Sequence, residues 1–243
     1  MTDTRTLVIG ISLPNATFDN HSFLSAPSLA DYQRVIVDIE AASKVVAEVA
    51  SRSAEHKTYT GLPITNGEST TDAMGLADAL AMRRREAEWF LKKGGILCVL
   101  AHPDVAVKGV RGASDWRRYS WLPAPEGFSY EKDLHASFGK AGAKAVEDHP
   151  FAAYIEQFGR NAGYRVRLDE DADGFADYAT VFARSEGGAA IGAALRVLRG
   201  TIILLPPLIR MESDRMPLAQ TLLECFDRAT AETEPRTVSS EAS

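Results

Sequence analysis

The feature that most constrains this chain is a long amphipathic helix that closes on a glycine pair and runs straight into an apolar strand. The helix reads from about Thr71 or Asp72 to Lys93, with Leu76, Leu80, Ala87, Phe90 and Leu91 forming one apolar stripe at helical spacing. Asp72 and Asp78 stand early, Lys92 and Lys93 stand in the last turn, and Gly94 suits the left-handed residue that ends many helices. The stretch "GGILCVLAHPD" (94–104) comes next. Its run from Ile96 to Ala101 is apolar without a break, as in a strand buried on both faces. Two runs of the same kind come earlier, "TLVIGI" (6–11) and "RVIVDI" (34–39), and residues 41–54 read as a helix with Val45, Val46 and Val49 on one side. Strand, helix and strand in succession predict a parallel sheet packed between helices.

The rest of the chain changes character. Residues 58–72 read as a loop with a short hairpin, and 103–149 are rich in turn formers. "HPFAAYIEQFGRNAGY" (149–164) reads as a helix from about Pro150, since proline is favoured in a first turn. "RVRL", "YATVFARS", "AAIGAALRVL" and "GTIILLPP" read as strands. Their close spacing, with a turn at Glu186, Gly187 and Gly188, predicts an antiparallel extension of the sheet. Residues 218–228 form a last helix, and 229–243 are polar and expected to be disordered. The expectation is one α/β domain over residues 1–228, three-layer and Rossmann-like, with a mostly parallel sheet and an antiparallel extension. Arg83, Arg84 and Arg85 are expected on a solvated face beside Glu86 and Glu88.

Composition narrows the function classes. A formal charge of −6 over 243 residues argues against a general nucleic-acid binder. Cys98 and Cys225 are the two cysteines, with no C-x-x-C pair, so neither a thiolate zinc site nor a disulfide framework is expected. The first fifteen residues lack the layout of a signal peptide, and no apolar run approaches the roughly 20 residues needed to span a bilayer. These readings place the chain in the cytoplasm and off the membrane.

In open parallel sheets, ligands sit beyond the carboxyl ends of the strands, near the point where strand order reverses. That rule yields the candidates. Asn15, Asp19 and Asn20 come after the first strand, Asp38 ends the second, and His102 and Asp104 end the third. Each has an ordinary alternative: Asn and Asp often bond nearby backbone in turns, and a histidine before Pro103 is often a loop residue. Histidine beside carboxylates also suits acid–base chemistry. His102 and Asp104 alone are too small a fragment for a metal site, so no metal is assigned, and any cofactor is unknown. Trp116, Arg117, Arg118, Tyr119 and Trp121 interleave basic and aromatic groups. They are expected within a lid over residues 108–125, with Arg117 and Arg118 facing a ligand anion, Asp19 or Asp38. Cys98 reads as core packing, since a strand interior does not present a thiol. There is no G-x-S-x-G elbow, Walker loop, G-x-G-x-x-G after the first strand, or H-E-x-x-H.

The order of an N-terminal strand, a helix ending in "FLKKGGILCVLAH", and a late "LRGTIILLPP" resembles the class I glutamine amidotransferase-like fold, especially its ThuA-like, non-amidotransferase branch. The resemblance covers most of residues 5–207. It implies a flavodoxin- or glutamine amidotransferase-like sheet. The amidotransferase elbow G-x-C-x-G does not transfer, because Ile96 and Leu100 stand in its glycine positions, and no histidine occurs after His149. The chain is also similar to a group of uncharacterised bacterial proteins sharing the segments "FDN.SF.SAPS", "YSWLPAP" and "ARS.GGAAIG", a likeness that implies no activity. Two functions result as expectations. One is a non-catalytic module binding a small polar ligand or a protein partner at the carboxyl edge of the sheet. The other is a hydrolase-type enzyme using His102 with Asp19, Asp38 or Asp104, with or without a metal.

Overall fold

The computed structural model describes residues 5–45, 56–57, 63–64, 70–105, 117–139, 142–209 and 214–233. Trp116, the expected helix beyond residue 45, residues 108–116 of the expected lid and residues 234–243 of the expected tail lie outside that set.

Numbered in chain order, the strands are β1 (Thr6–Ile9), β2 (Phe18–His21), β3 (Arg34–Asp38), β4 (His56–Lys57), β5 (Pro63–Ile64), β6 (Ile96–Leu100), β7 (Leu134–Ala136), β8 (Lys144–Ala145), β9 (Val166–Leu168), β10 (Ala179–Arg184), β11 (Ala190–Val197) and β12 (Gly200–Leu205). Among the described residues eight of them form one sheet in the order β2-β1-β3-β6-β12-β11-β10-β8. From β2 to β12 every neighbour is parallel. From β12 to β8 every neighbour is antiparallel. β4, whose residues lie just before the loop expected over 58–72, pairs antiparallel with β5, and β7 pairs with β9 in a small separate sheet. The helices are α1 (described over 40–45), α2 (Thr70–Lys92), α3 (Tyr130–Asp133), α4 (Ala152–Phe158), α5 (Phe175–Tyr178) and α6 (Arg215–Thr233).

Period-2 alternation explains the layering. In β1, β3, β6 and β12 the side chains at Leu7, Ile9, Val35, Val37, Leu97, Val99, Ile202 and Leu204 enter one core. Their neighbours Val8, Ile36, Cys98, Leu100, Ile203 and Leu205 enter a second core on the opposite face. Apolar runs without alternation are what a strand needs when both faces are covered. The first face is closed by α1 and α2 together with Tyr119, Trp121, Phe128 and Tyr130. The second is closed by α4 and α6, through Tyr154, Ile155, Phe158, Leu222 and Phe226. The result is a three-layer α/β fold of Rossmann-like type, its mostly parallel sheet carrying an antiparallel extension.

The glycine pair after α2 has two separate causes. Gly94 has φ +87°, and its N–H reaches the Leu91 carbonyl at 3.1 Å while that of Gly95 reaches Phe90 at 3.0 Å. This is a Schellman ending, which satisfies carbonyls the last turn leaves open. At Gly95 a Cβ would lie 2.4 Å from the Phe90 ring, so the fully packed Phe90 excludes any side chain. Truncating a ring buried like Phe90 to alanine costs about 3–5 kcal/mol.

Phe18 to His21, which carries the candidates Asp19 and Asn20, is a parallel edge strand, joined to β1 by only residues 10–17. Four expectations change. "RVRL" is not in the main sheet; as β9 it pairs with β7. β12 is not confined to the extension, since it pairs parallel with β6 and antiparallel with β11 and is the seam between the two halves. Arg83 is not solvated: it is buried and donates to Pro27 O at 2.7 Å, to Ala26 O, and to Glu86 at 2.7 Å. The last helix runs past Arg228 to Thr233, so residues 229–233 are helical.

Candidate functional site

Asp38 and Leu100 are register partners across β3 and β6, and Leu100 is partner to Leu205 across β6 and β12. Three parallel strands therefore end side by side. At and just beyond those ends, Asp38, His102 and Pro207 line a single cavity of about 810 Å³. Glu40, the first residue of α1, adds a second carboxyl group to its wall. Proteins commonly hold small molecules in cavities of this size.

The other walls come from three loops clipped together by backbone bonds. Ser137 N–H donates to Arg165 O at 2.9 Å, and Gly139 N–H to Tyr164 O at 3.3 Å. Gly163 N–H donates to Pro207 O at 2.8 Å, and Ile209 N–H to Asn161 O at 3.0 Å. Phe138, Tyr164, Arg165, Leu208 and Ile209 face the cavity from this side. Phe138 and Ile209 are 71% and 57% exposed, so the cavity rim is apolar surface open to water. The Arg165 guanidinium lies 5.9 Å from the centre of the Phe138 ring.

The polar end is held in place from behind. Asp38 Oδ1 accepts the Glu40 N–H at 3.0 Å, capping the first turn of α1. The Tyr119 hydroxyl donates to His102 O at 2.7 Å and accepts the His102 N–H at 3.2 Å, fixing the backbone that carries the imidazole. His102 Nε2 stands 3.8 Å from Asp38 Oδ1, close enough for charge coupling but beyond a hydrogen bond. Burial raises the Asp38 pKa, with the His102 charge and the Glu40 N–H opposing it. Burial likewise lowers the His102 pKa, against the pull of Asp38 and Glu40. Burial thus favours the neutral imidazole. Burial also opposes ionisation of Glu40, but the Lys44 ammonium at 3.2 Å, with His102 and Arg118, brings its pKa below the ordinary value.

The sequence candidates divide. Asp38 and His102 meet in the cavity, as the strand-end rule predicts. Asn15 does not: its Oδ1 accepts from Thr17 N–H at 2.9 Å and Thr17 Oγ1 at 2.8 Å, a local turn. Asn20 bonds Leu13 twice, at 2.8 Å and 3.0 Å, and faces a different cavity. Asp19 is bound to His21 Nε2 at 2.8 Å and to the Tyr32 hydroxyl. The Tyr32 bond, with His21 aiding it, holds the Asp19 carboxyl below its usual range. Asp104, its side chain 4% exposed, pairs with Arg117 Nε at 2.6 Å.

Arg117 and Arg118 line neither of these cavities and pair with neither Asp19 nor Asp38. Arg117 is spent on Asp104 and Glu131, while Arg118 donates to Ser43 Oγ at 2.8 Å and Pro103 O at 2.6 Å. Tyr119 and Trp121 lie in the core, and no residue of 117–125 lines the cavity. Both charges are better matched by acceptors in their own surroundings. Sequence reasoning missed Glu40, Phe138, Tyr164, Arg165 and Ile209. Only Glu40 carried a local signal, an acid in the first turn of a helix, and that pattern reads equally as dipole compensation.

Cys98 is fully buried between Ile36 and Ile203, and burial pushes its thiol pKa up, which leaves no thiolate for nucleophilic chemistry. Among the described residues no three His, Cys, Asp or Glu side chains are grouped to hold a metal ion. Among them also, no helix is long and apolar enough to cross a membrane.

No family model matches the sequence, and no curated protein matches it. Solved structures do. The cytoplasmic protein STM1381 of Salmonella typhimurium LT2 aligns over 92% of this chain and 98% of its own, with 10% identity and a TM-score of 0.47. The cytoplasmic protein STM3548 of Salmonella typhimurium aligns over the same shares at 10% identity and a TM-score of 0.43. A GMP synthase-type protein of Thermoplasma acidophilum aligns over 95% of this chain and 98% of its own, at 7% identity and a TM-score of 0.41. With TM-scores below 0.5 these likenesses carry no argument, and the class of fold rests on the strand order and the two buried faces.

Proposed function

We propose that this chain is a non-catalytic, glutamine amidotransferase-like module that binds a small ligand at the carboxyl edge of its sheet. One observation carries the reading. Asp38, Glu40 and His102, from separate elements, converge on one end of a cavity of about 810 Å³ whose remaining wall is largely apolar. The fitting ligand has a hydrogen-bonding head for these three groups and an apolar body for Leu208, Ile209 and Phe138. The buried Cys98 removes the nucleophile that amidotransferase chemistry requires. The test is a thermal-shift screen of polar metabolites with apolar substituents. A ligand at a hundredfold its dissociation constant stabilises by about 2.7 kcal/mol. The gain is expected to vanish in His102→Ala. A glutaminase or other acyl-transfer activity abolished by Cys98→Ala, in a folded protein, would sink the reading. A protein partner in place of a small ligand would show as co-elution that competes with the screened ligand.

The 3.8 Å approach of His102 to Asp38 favours a second reading, a hydrolase in which neutral His102 takes a proton from water. Asp19 and Asp104, with their carboxyl groups already bonded elsewhere, drop out of that scheme. A hydrolase panel run on the parent and on Asp38→Asn decides it: turnover lost with the aspartate supports the enzyme, and no turnover on any ester, amide or glycoside rejects it.

A further inference from the structure

A second cavity, of about 480 Å³, opens at the carboxyl ends of β1 and β2, against α1. Its chemistry is unlike that of the first. Lys44, His21 and Ser12 supply an ammonium, an imidazole and a hydroxyl; the Ser22 and Ser25 hydroxyls bond each other at 2.7 Å and leave one hydroxyl hydrogen between them for a ligand; and no carboxylate lines the cavity. Asp19, the nearest acid in sequence to His21, has its two oxygens occupied by His21 and Tyr32. Because His21 Nε2–H donates to Asp19, the ring's other nitrogen, Nδ1, is the one left for a ligand, and it donates to a phosphate oxygen in the protonated imidazolium. The loop that frames the cavity is held by two hydrogen bonds: the Leu13 N–H donates to Asn20 Oδ1, and Asn20 Nδ2 donates to Leu13 O. At Gly10, a Cβ would meet the Ala41 Cβ at 2.2 Å, so only glycine lets this loop close on α1.

We infer that this cavity is a binding site for a phosphate-bearing small molecule, with the phosphate held by Lys44, His21 and the seryl hydroxyls. A tetrahedral dianion accepts bonds in several directions at once, and clustered hydroxyls beside two cationic or cation-capable groups match that demand. The inference is independent of the ligand proposed for the first cavity, although the two cavities share one ion pair. Lys44 lines the second, Glu40 lines the first, and their charges meet at 3.2 Å.

Histidine ring spectra of the ¹⁵N-labelled protein, recorded during titration with inorganic phosphate at constant ionic strength, test the site. His21 ring signals are expected to move along a saturating curve. Lys44→Ala should weaken that curve about fivefold, the effect of one exposed charged contact, and Lys44→Arg should restore most of it. Lys44 is exposed, so neither change threatens the fold. The curve should persist in His102→Ala, which separates this site from the first cavity whether or not a ligand for that one is found. A linear or absent response of His21 overturns the inference. So does a curve unchanged by Lys44→Ala, or an equal curve with acetate.

Discussion

Two histidines stand beside aspartates at the carboxyl edge of this sheet, and they are in opposite conditions. His21 is bonded to Asp19 at 2.8 Å on an edge strand, and the Tyr32 hydroxyl, its own pKa raised to about 12 by burial and by Asp19, completes the chain. His102 lies deeper, 3.8 Å from Asp38, with no hydrogen bond between them. The first aspartate is an ion settled by its partners. The second is a carboxyl group held in a poorly solvated place with its demand partly unmet. Uncommitted buried polar groups cost stability, and proteins retain them where a ligand completes the set. The contrast teaches that proximity of His and Asp in sequence or space is not itself a site; what matters is whether the polar capacity is already spent.

Asp104 gives the sharpest test of spent against unspent carboxylates. Its pair with Arg117 is well enclosed on the acid's side, so Asp104→Ala should cost about 2–3 kcal/mol in denaturant unfolding, most of it from the lost charged hydrogen bond, since Arg117 keeps only its exposed partner Glu131. A loss as small as that of a surface change would mean the pair is idle and would blur the comparison.

Acid unfolding comes next. His149 stacks on Phe182 at 4.6 Å, its Nδ1 accepts the Phe151 N–H at 3.2 Å, and burial lowers its pKa to about 4. His102 is shifted the same way. A histidine with a depressed folded pKa binds protons more readily unfolded, so stability should fall as pH drops from about 6.5 towards 4. His149→Phe should flatten that limb. An acid limb unchanged in His149→Phe would show that this buried histidine does not set it.

Tyr119→Phe removes the hydroxyl that fixes the His102 backbone and should cost about 1 kcal/mol. Its effect on histidine ring spectra should fall on His102 and spare His21. Broad changes at both would make Tyr119 a general packing residue and not a support of one site.

The smallest effect is expected at Asp38→Asn. Asparagine still caps α1, and the substitution removes a charge that burial disfavours. Stability at neutral pH should change by less than about 0.5 kcal/mol in either direction, while ligand binding in the first cavity weakens at least tenfold. A large loss of stability with binding intact would place Asp38 among the settled carboxylates, with Asp104.

Much of the frame was determined by the sequence itself. The runs at Thr6, Arg34 and Ile96 are strands, the helix ending at Gly94 is α2, and Cys98 is core, because burial on two faces leaves a local mark: an apolar run without alternation. The same locality found Asp38 and His102, since a strand's end is visible in one dimension and parallel strands end together. Tertiary structure decided the rest. Phe18 to His21 is a strand only because β1 offers it a paired edge, and turn formers accept extended backbone when ladder bonds repay them. Arg117, Arg118 and Asp19 look like site residues in sequence, but the fold brings each an acceptor or donor that satisfies it. Phe138, Arg165 and Ile209 look like ordinary loop residues, yet loop-to-loop backbone bonds gather them around the strand ends. Whether a polar group is spent or available depends on what packs beside it from distant parts of the chain, and the local pattern does not record that.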